Sequence, residues 1–337
     1  MAGSGTAHLR DRHDLVLTVE HLTVEYRTRR GTVSANSDVS IDLALGETLG
    51  VVGESGCGKS TFGRAICRLT PVRSGRVLFA GSDLVRLRGE ELRRKRSAIQ
   101  LVFQDPKSSL NPRRPVADII AEPLDIWKIA TGRDRQAKVD ELLEAVGLDP
   151  SAGDRRPHEF SGGQAQRISI ARALAPDPRM LICDEPVSAL DMSVQAQILN
   201  LLEDLKERYG LTMMFIAHDL AVVKHVSDRV MVMYLGKVCE VAPSETLYRR
   251  PAHPYTAALL SSIPVVDPAA TQPEMPPLEG DLPSPLNPPS GCRFRTRCPR
   301  ATEVCATDEP QIADVGAGQY VACHHPLVET SVAVGRP

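Results

Sequence analysis

The chain has 337 residues, 42% of them hydrophobic, which is enough for one sizeable core with a smaller appendage. Forty basic against 42 acidic residues leave a net charge of −2, so no global field favours nucleic acid or an acidic lipid surface. No apolar stretch reaches the roughly 18 residues of a membrane span, and the polar N-terminus lacks the apolar run of a signal peptide.

Residues 1–14 read as a disordered N-terminus. Strand-like segments follow at Leu15 to Glu20, Thr23 to Tyr26 and Val39 to Leu43, where β-branched and polar residues alternate. An apolar strand, Thr48 to Val52, leads into Gly53-Glu54-Ser55-Gly56-Cys57-Gly58-Lys59-Ser60-Thr61, and a helix runs from Ser60 to Leu69. Gly75 to Phe79 reads as a strand. The basic run from Arg86 to Arg96 has no interleaved aromatic residue and is broken by Glu90 and Glu91, so it reads as a solvated helix face rather than a nucleic-acid surface. Helical periodicity dominates residues 115–176, for example at Val139, Leu142, Leu143 and Val146. Met180 to Cys183 is a continuous apolar strand, followed by a helix (Val194 to Tyr209) and buried strands at Met213 to Ala217 and Val230 to Tyr234. That alternation predicts a mostly parallel sheet covered by helices. Nine of the 26 prolines fall between Pro264 and Pro289, which reads as an extended linker.

Two motifs carry most of the chemistry. Gly-x-x-x-x-Gly-Lys-Ser between a strand and a helix is a phosphate-binding loop: backbone N–H groups and a helix N-terminus face the phosphates, Lys59 adds a point charge and the Ser60 hydroxyl suits Mg²⁺. About a hundred residues later stands Ser161-Gly162-Gly163-Gln164, whose glycines allow close backbone approach ahead of a second helix.

These motifs, with the Asp184-Glu185 pair ending a strand and His218 downstream, resemble the ATP-binding cassette (ABC) ATPases over residues 15–262. The resemblance implies an α/β P-loop NTPase core with an N-terminal antiparallel β-subdomain, an inserted helical subdomain over about 115–176, and a C-terminal extension over 263–337. It also implies ATP and Mg²⁺ as ligands. Tyr26 would stack on adenine, Gln104 would be the Q-loop glutamine reaching Mg²⁺ or the attacking water, and the stretch after it would receive a membrane partner. Asp184 would serve Mg²⁺ through water, Glu185 would be the general base, and His218 would contact the γ-phosphate. Ser188-Ala189-Leu190-Asp191 would be the D-loop. In that family Ser161 to Gln164 cap the nucleotide of the opposite subunit, so one chain is half of each site. Two departures stand out: Phe160 where Leu is common, and Ala165 where a basic residue is common.

His253-Pro254-Tyr255-Thr256-Ala257-Ala258-Leu259-Leu260, Phe103-Gln104-Asp105-Pro106 and Pro186-Val187-Ser188-Ala189-Leu190-Asp191 narrow the resemblance to the oligopeptide/dipeptide/nickel importers, most closely their F-type ATP-binding subunit. Such a subunit pairs with a second ATPase, two transmembrane permeases and an extracytoplasmic binding protein, at the cytoplasmic face of the membrane, with no nucleic-acid partner. Nickel or another small solute remains an alternative cargo. A soluble cassette acting on ribosomes or DNA is the reading from another class, opposed by the single cassette and the importer-type extension.

Eight cysteines in a cytosolic chain argue against a disulfide framework. Cys57, Cys67, Cys183 and Cys239 read as small buried or loop residues, and Cys57, inside the phosphate loop, is a candidate for modification by thiol reagents. Cys292, Cys298, Cys305 and Cys323, separated by five, six and seventeen residues, favour a metal over free thiols, though without the Cys-x₂-Cys pairs of zinc ribbons. A similar pattern in the importer group implies a [4Fe–4S] cluster; zinc and free thiols are the alternatives, with His324 and His325 as substitute ligands.

Overall fold

The computed structural model describes residues 3–29, 31–262 and 280–328, and the chain divides into two compact units. The first comprises residues 1–44, 48–85 and 217–337; the second comprises 45–47 and 86–216.

The first unit opens with β1 (Leu15–Thr28) and β2 (Gly31–Ala44), an antiparallel pair. The fully buried positions of β1 run Leu17 and Val19, then Leu22 and Val24, while Val16 at its start is nearly so. A switch from odd to even means that one extra residue has been inserted, and the register indeed shifts between Val19 and Leu22, beside His21 at φ +53°. The two short strands expected from the sequence are therefore one bulged strand. β3 (Thr48–Val52) and α1 (Lys59–Ile66) flank the phosphate loop; β4 (Ser74–Phe79) and β5 (Ser82–Asp83) complete an antiparallel sheet in the order β2-β1-β4-β5.

The second unit runs from α2 (Gly89–Ser97) through β6 (Ile99–Val102), α3 (Pro106–Ser109), α4 (Val116–Trp127), α5 (Gly132–Ala145) and α6 (Gly162–Leu174) to β7 (Met180–Asp184), α7 (Met192–Tyr209) and β8 (Thr212–Ile216). β6, β7 and β8 are parallel, with Met180 opposite both Ile99 and Thr212. All five residues of β7 are buried, which is why it reads as an unbroken apolar run rather than an alternating one. α4 and α5 bury Val116, Ile119, Ile120 and Leu124, and Val139, Leu142 and Leu143. The basic helix α2 buries none of its residues, and Arg93 pairs with Glu90.

Back in the first unit stand α8 (Leu220–Val226), β9 (Arg229–Tyr234), β10 (Lys237–Pro243), α9 (Ser244–Arg249), α10 (Pro254–Ser261), α11 (Val304–Thr307), β11 (Ala313–Asp314) and β12 (Tyr320–Val321). β9 is parallel to β3, but β10 returns antiparallel through a tight turn at Leu235-Gly236, both at positive φ as a two-residue hairpin of this hand requires. β12 then pairs with β10, and β11 with β12, so this edge is antiparallel where a mostly parallel sheet is expected.

One further expectation changes. Residues 3–14 are not disordered. His8 bonds the Ser40 carbonyl at 2.6 Å, Arg10 bonds the buried Asp42 carboxylate, and Ser4 accepts from the Ile312 N–H. One reason is Asp42 itself: a fully buried carboxylate needs cationic partners, and Arg10 joins Arg229 to supply them. Of the two courses open to the chain after the proline-rich stretch, wrapping or leaving the core, the described C-terminal residues pack on the first unit. Gln319 donates to Glu240, Lys237 pairs with Glu309 at 2.6 Å, and Val315, Val321 and Val328 pack with Ala252. Residues 263–279, most of the proline-rich stretch, lie outside the described residues.

Candidate functional site

In the first unit, β3 breaks at Gly53 and α1 begins at Lys59. Gly53 (φ +149°) and Gly58 (φ +103°) adopt backbone that disfavours any side chain, and a Cβ on either would stand 2.2 Å from a backbone oxygen, of Met233 or Ala35. Lys59 is buried and curls back, its Nζ donating to the carbonyls of Gly53 (2.7 Å) and Glu54 (3.1 Å). No side chain caps α1, so its first backbone N–H groups suit an anion. Ser60 and Thr61 are half-buried in its first turn, Ser55 and Gly56 are exposed at the loop tip, and Cys57 is buried. Burial pushes the Cys57 thiol above its usual range, so of the two settings expected for it the buried one holds, and it is a poor target for thiol reagents. Tyr26 is exposed near the end of β1. His218 is exposed just after Ala217, whose N–H bonds the Val51 carbonyl.

Three residues that support the loop were missed in the sequence. Asn36, fully buried, donates to the Gly58 carbonyl at 3.1 Å. The Tyr255 hydroxyl accepts from the Glu54 N–H at 2.9 Å, and Arg297 forms two bonds to the Glu54 carboxylate. Tyr255 stood in a noticed motif without a role. Nothing in the sequence pairs Arg297 with Glu54, 243 positions away.

The second unit holds the rest. Asp184 ends β7 fully buried. Glu185 follows with φ +49°, an uncommon conformation for a residue with a long side chain. It is held there by its N–H bonded to Ile216 and by the Ser188 N–H and hydroxyl donating to its carbonyl. Gln104 donates from Nε2 to Glu185 Oε2 at 2.8 Å, so two residues 81 apart in sequence are brought together, and a carboxylate is oriented at a strand end. Asp105 caps α3, and the N–H of Ser108 holds its carboxyl below the usual range.

Ser161 is the N-cap of α6, in a reciprocal capping box with Gln164: the Ser161 N–H reaches Gln164 Oε1 at 3.0 Å, and the Gln164 N–H reaches Ser161 Oγ at 3.3 Å. Gly163 faces α7, where a Cβ would stand 2.4 Å from Val194 Cγ1; Gly162 faces Leu190 at 3.3 Å. Asp191 caps α7 through the Val194 N–H, which lowers its carboxyl below the usual range, and Gln195 ties down the Val187 and Leu190 carbonyls on either side of Ser188 and Ala189. Ala165 is fully buried, so a basic side chain is unsuited there for reasons of packing. Phe160 is also buried, beneath the Arg155 guanidinium at 4.4 Å.

The four tail cysteines share one neighbourhood. Burial pushes the Cys323 thiol up to about 12, and Cys292, Cys298 and Cys305 add to the shift. Yet among the described residues no group of three or more His, Cys, Asp or Glu is arranged to hold a metal ion. His325 bonds Thr302, and His324 lies against the Asp308 carbonyl. The expectation of an iron–sulfur cluster thus has the donor set but not the ligand geometry. Among the described residues, no helix is long and apolar enough to cross a membrane.

The ATP-binding cassette MJ0796, solved as a dimer with ADP and phosphate, superposes with a TM-score of 0.62 at 29% identity, covering 68% of this chain and 98% of that one. CbiO1 of Clostridium perfringens, part of the ABC transporter complex CbiONQ, gives a TM-score of 0.62 at 28% identity, covering 70% and 92%. The fold is that of an ABC ATPase. Residues 36–188 match the ABC transporter family, and residues 239–305 match the C-terminal region of the oligopeptide/dipeptide transporters. The oligopeptide transport ATP-binding protein AppF of Bacillus subtilis is 53% identical over 301 residues, 89% of this chain and 92% of its own. A Brucella ovis ATP-binding protein assigned to peptide import is 52% identical over 309 residues, 91% and 97% of the two chains. This chain belongs to the ATP-binding proteins of the oligopeptide/dipeptide ABC transporter family, ATPases that hydrolyse ATP for transport.

Proposed function

We propose that this chain is the ATP-hydrolysing subunit of an importer for di- and oligopeptides, working at the cytoplasmic face of the membrane with a second ATPase subunit, two permeases and an external binding protein. The observation that carries it is the presence in one chain of the cassette and the oligopeptide-type C-terminal region. The two-fold head-to-tail arrangement is supported by the dimeric form of MJ0796 and by the two glycine-rich loops of this chain.

In this reading Gly53 to Thr61 bind the ATP phosphates, Tyr26 stacks on adenine and His218 meets the γ-phosphate. Ser161 to Gln164 cap the nucleotide of the opposite subunit, and Ser188 to Asp191 cross between subunits. Ser60, Asp184 and the Gln104 carbonyl would hold Mg²⁺, which offsets charge on the phosphates; the Gln104 amide nitrogen, being engaged by Glu185, leaves the carbonyl as the donor to a cation. Glu185 accepts the proton of the attacking water, with its carboxylate oriented by Gln104 and its backbone held by Ser188. Binding of two ATPs closes the dimer and switches the permeases, and hydrolysis reopens it.

The test is uptake of a labelled short-peptide panel, with nickel alongside, in cells lacking this protein and complemented with wild type or Glu185→Gln. Peptide uptake restored only by wild type supports the reading. Restored nickel uptake without peptide uptake moves the cargo, and uptake indifferent to the gene sinks the import role.

For the tail cysteines, the neighbourhood shared by four thiols supports a [4Fe–4S] cluster, with zinc or free thiols as the alternatives. Iron and acid-labile sulfide in equal amounts in anaerobically purified protein would decide for the cluster; neither element present would leave zinc or free thiols.

A further inference from the structure

The first unit holds a contact between its C-terminal segment and the second residue of the phosphate loop. Both guanidinium Nη atoms of Arg297 meet the Glu54 carboxylate, Nη1 to Oε2 at 2.6 Å and Nη2 to Oε1 at 3.1 Å, a paired geometry that fixes direction as well as distance. The Arg297 side chain is 6% exposed and that of Glu54 26%, so the pair is partly shielded from solvent rather than lying free on the surface. Its position is set by packing: the guanidinium lies 6.0 Å from the Tyr234 ring, and Tyr234 meets Tyr255 and Phe294 edge-on at 4.8 and 5.3 Å. Arg293, one residue before Phe294, anchors the same segment on the Leu235 carbonyl and on Ser37.

Tyr255 takes the other side of the same loop residue, accepting the Glu54 backbone N–H. Glu54 is therefore held at main chain and side chain at once, and both holders lie within residues 239–305, the part matching the transporter-type C-terminal region. Glu54 also offers its carbonyl to Lys59 Nζ, so the clamp reaches the lysine directly through one residue.

We propose that Arg297 is a positioning residue for nucleotide binding: by fixing the Glu54 carboxylate it holds the phosphate loop and Lys59 in the geometry that receives ATP. The inference rests on the nucleotide reading of the loop. It makes the C-terminal region a working part of the ATP site, so that loosening that region weakens nucleotide binding without touching a catalytic group.

The full-length chain tests this with a fluorescent ATP analogue and with steady-state hydrolysis, for wild type, Arg297→Ala, Arg297→Lys, Glu54→Gln and the Arg297→Ala/Glu54→Gln double variant. Arg297→Ala should weaken nucleotide binding about tenfold and raise KM in the same proportion while kcat stays within about twofold. Arg297→Lys, which keeps charge but not the paired geometry, should recover part of the loss. The double variant should be no weaker than the worse single one, because both remove the same interaction. Nucleotide affinity and KM unchanged in Arg297→Ala, or losses that simply add, would overturn the proposal while leaving the nucleotide reading intact. Wild type failing to bind nucleotide would overturn both. If Arg297→Ala does not fold, Glu54→Gln decides alone: unchanged affinity there rejects the clamp, and a weakened one supports it.

Discussion

The chain uses glycine twice in front of a helix, and the two loops differ in why. In the phosphate loop the backbone demands it: Gly53 and Gly58 lie at positive φ with main-chain oxygens 2.2 Å from where a Cβ would be. In the Ser161 loop neither glycine has positive φ, and Gly163 is small because Val194 of α7 is close. The helix ends differ in the same sense. α1 has no side-chain cap, whereas α6 is closed by its own Ser161 and Gln164. A glycine held against main-chain oxygen has little latitude; one held against a neighbouring side chain can give. That contrast is consistent with the roles proposed above, an anion cradle in the first loop and a cap on the opposite subunit's nucleotide in the second.

Substitution breaks the two loops unequally. Gly58→Ala forces an alanine to φ +103° against the Ala35 backbone oxygen, a closer clash than the nearby Asn36 side chain and one that no side-chain movement relieves; ATP affinity should fall by at least about tenfold, measured by nucleotide binding. Gly163→Ala meets only the Val194 side chain and should cost about 1–3 kcal/mol in denaturant unfolding. Adding Val194→Ala should restore much of that loss, while no side-chain change near Gly58 should rescue Gly58→Ala. Equal rescue of both would erase the distinction.

A smaller effect sharpens the same contrast from a third helix start. His253 caps α10 through the Tyr255 N–H and is fully buried; burial pushes its pKa from 6.5 to about 3. The folded chain therefore binds this proton less readily than the unfolded chain. The stabilising contribution is fully present above pH 6.5 and is lost as pH falls from there toward 3. His253→Asn keeps a cap acceptor without the titration, so its melting temperature should fall less steeply between pH 6 and 4 than that of wild type.

The sequence showed most of what lies on single, locally patterned segments. The phosphate loop, β7 with its buried run and the Ser161 helix are each readable because spacing and apolar period coincide with the element. What stayed hidden depends on distant partners. Asp42 looked like an ordinary strand residue, and its burial, which calls for Arg10, joins the His8–Ser40 and Ser4–Ile312 bonds in ordering residues 3–14. The β10–β12 pairing joins residues about eighty positions apart, with a proline-rich stretch between them that reads as a linker. Glu54 was legible as a loop position but not as the place where Arg297 and Tyr255 converge. The cysteine spacing announced convergence but not ligand geometry.

Hydrolysis against binding in Glu185→Gln is the most direct test, because it leaves both glycine loops intact and removes only the carboxylate that Gln104 orients. ATP binding by the full-length chain should stay within about twofold of wild type while turnover drops about 10²–10⁴-fold. Turnover unchanged in Glu185→Gln would contradict the account, since the proton of the attacking water would then have to go elsewhere.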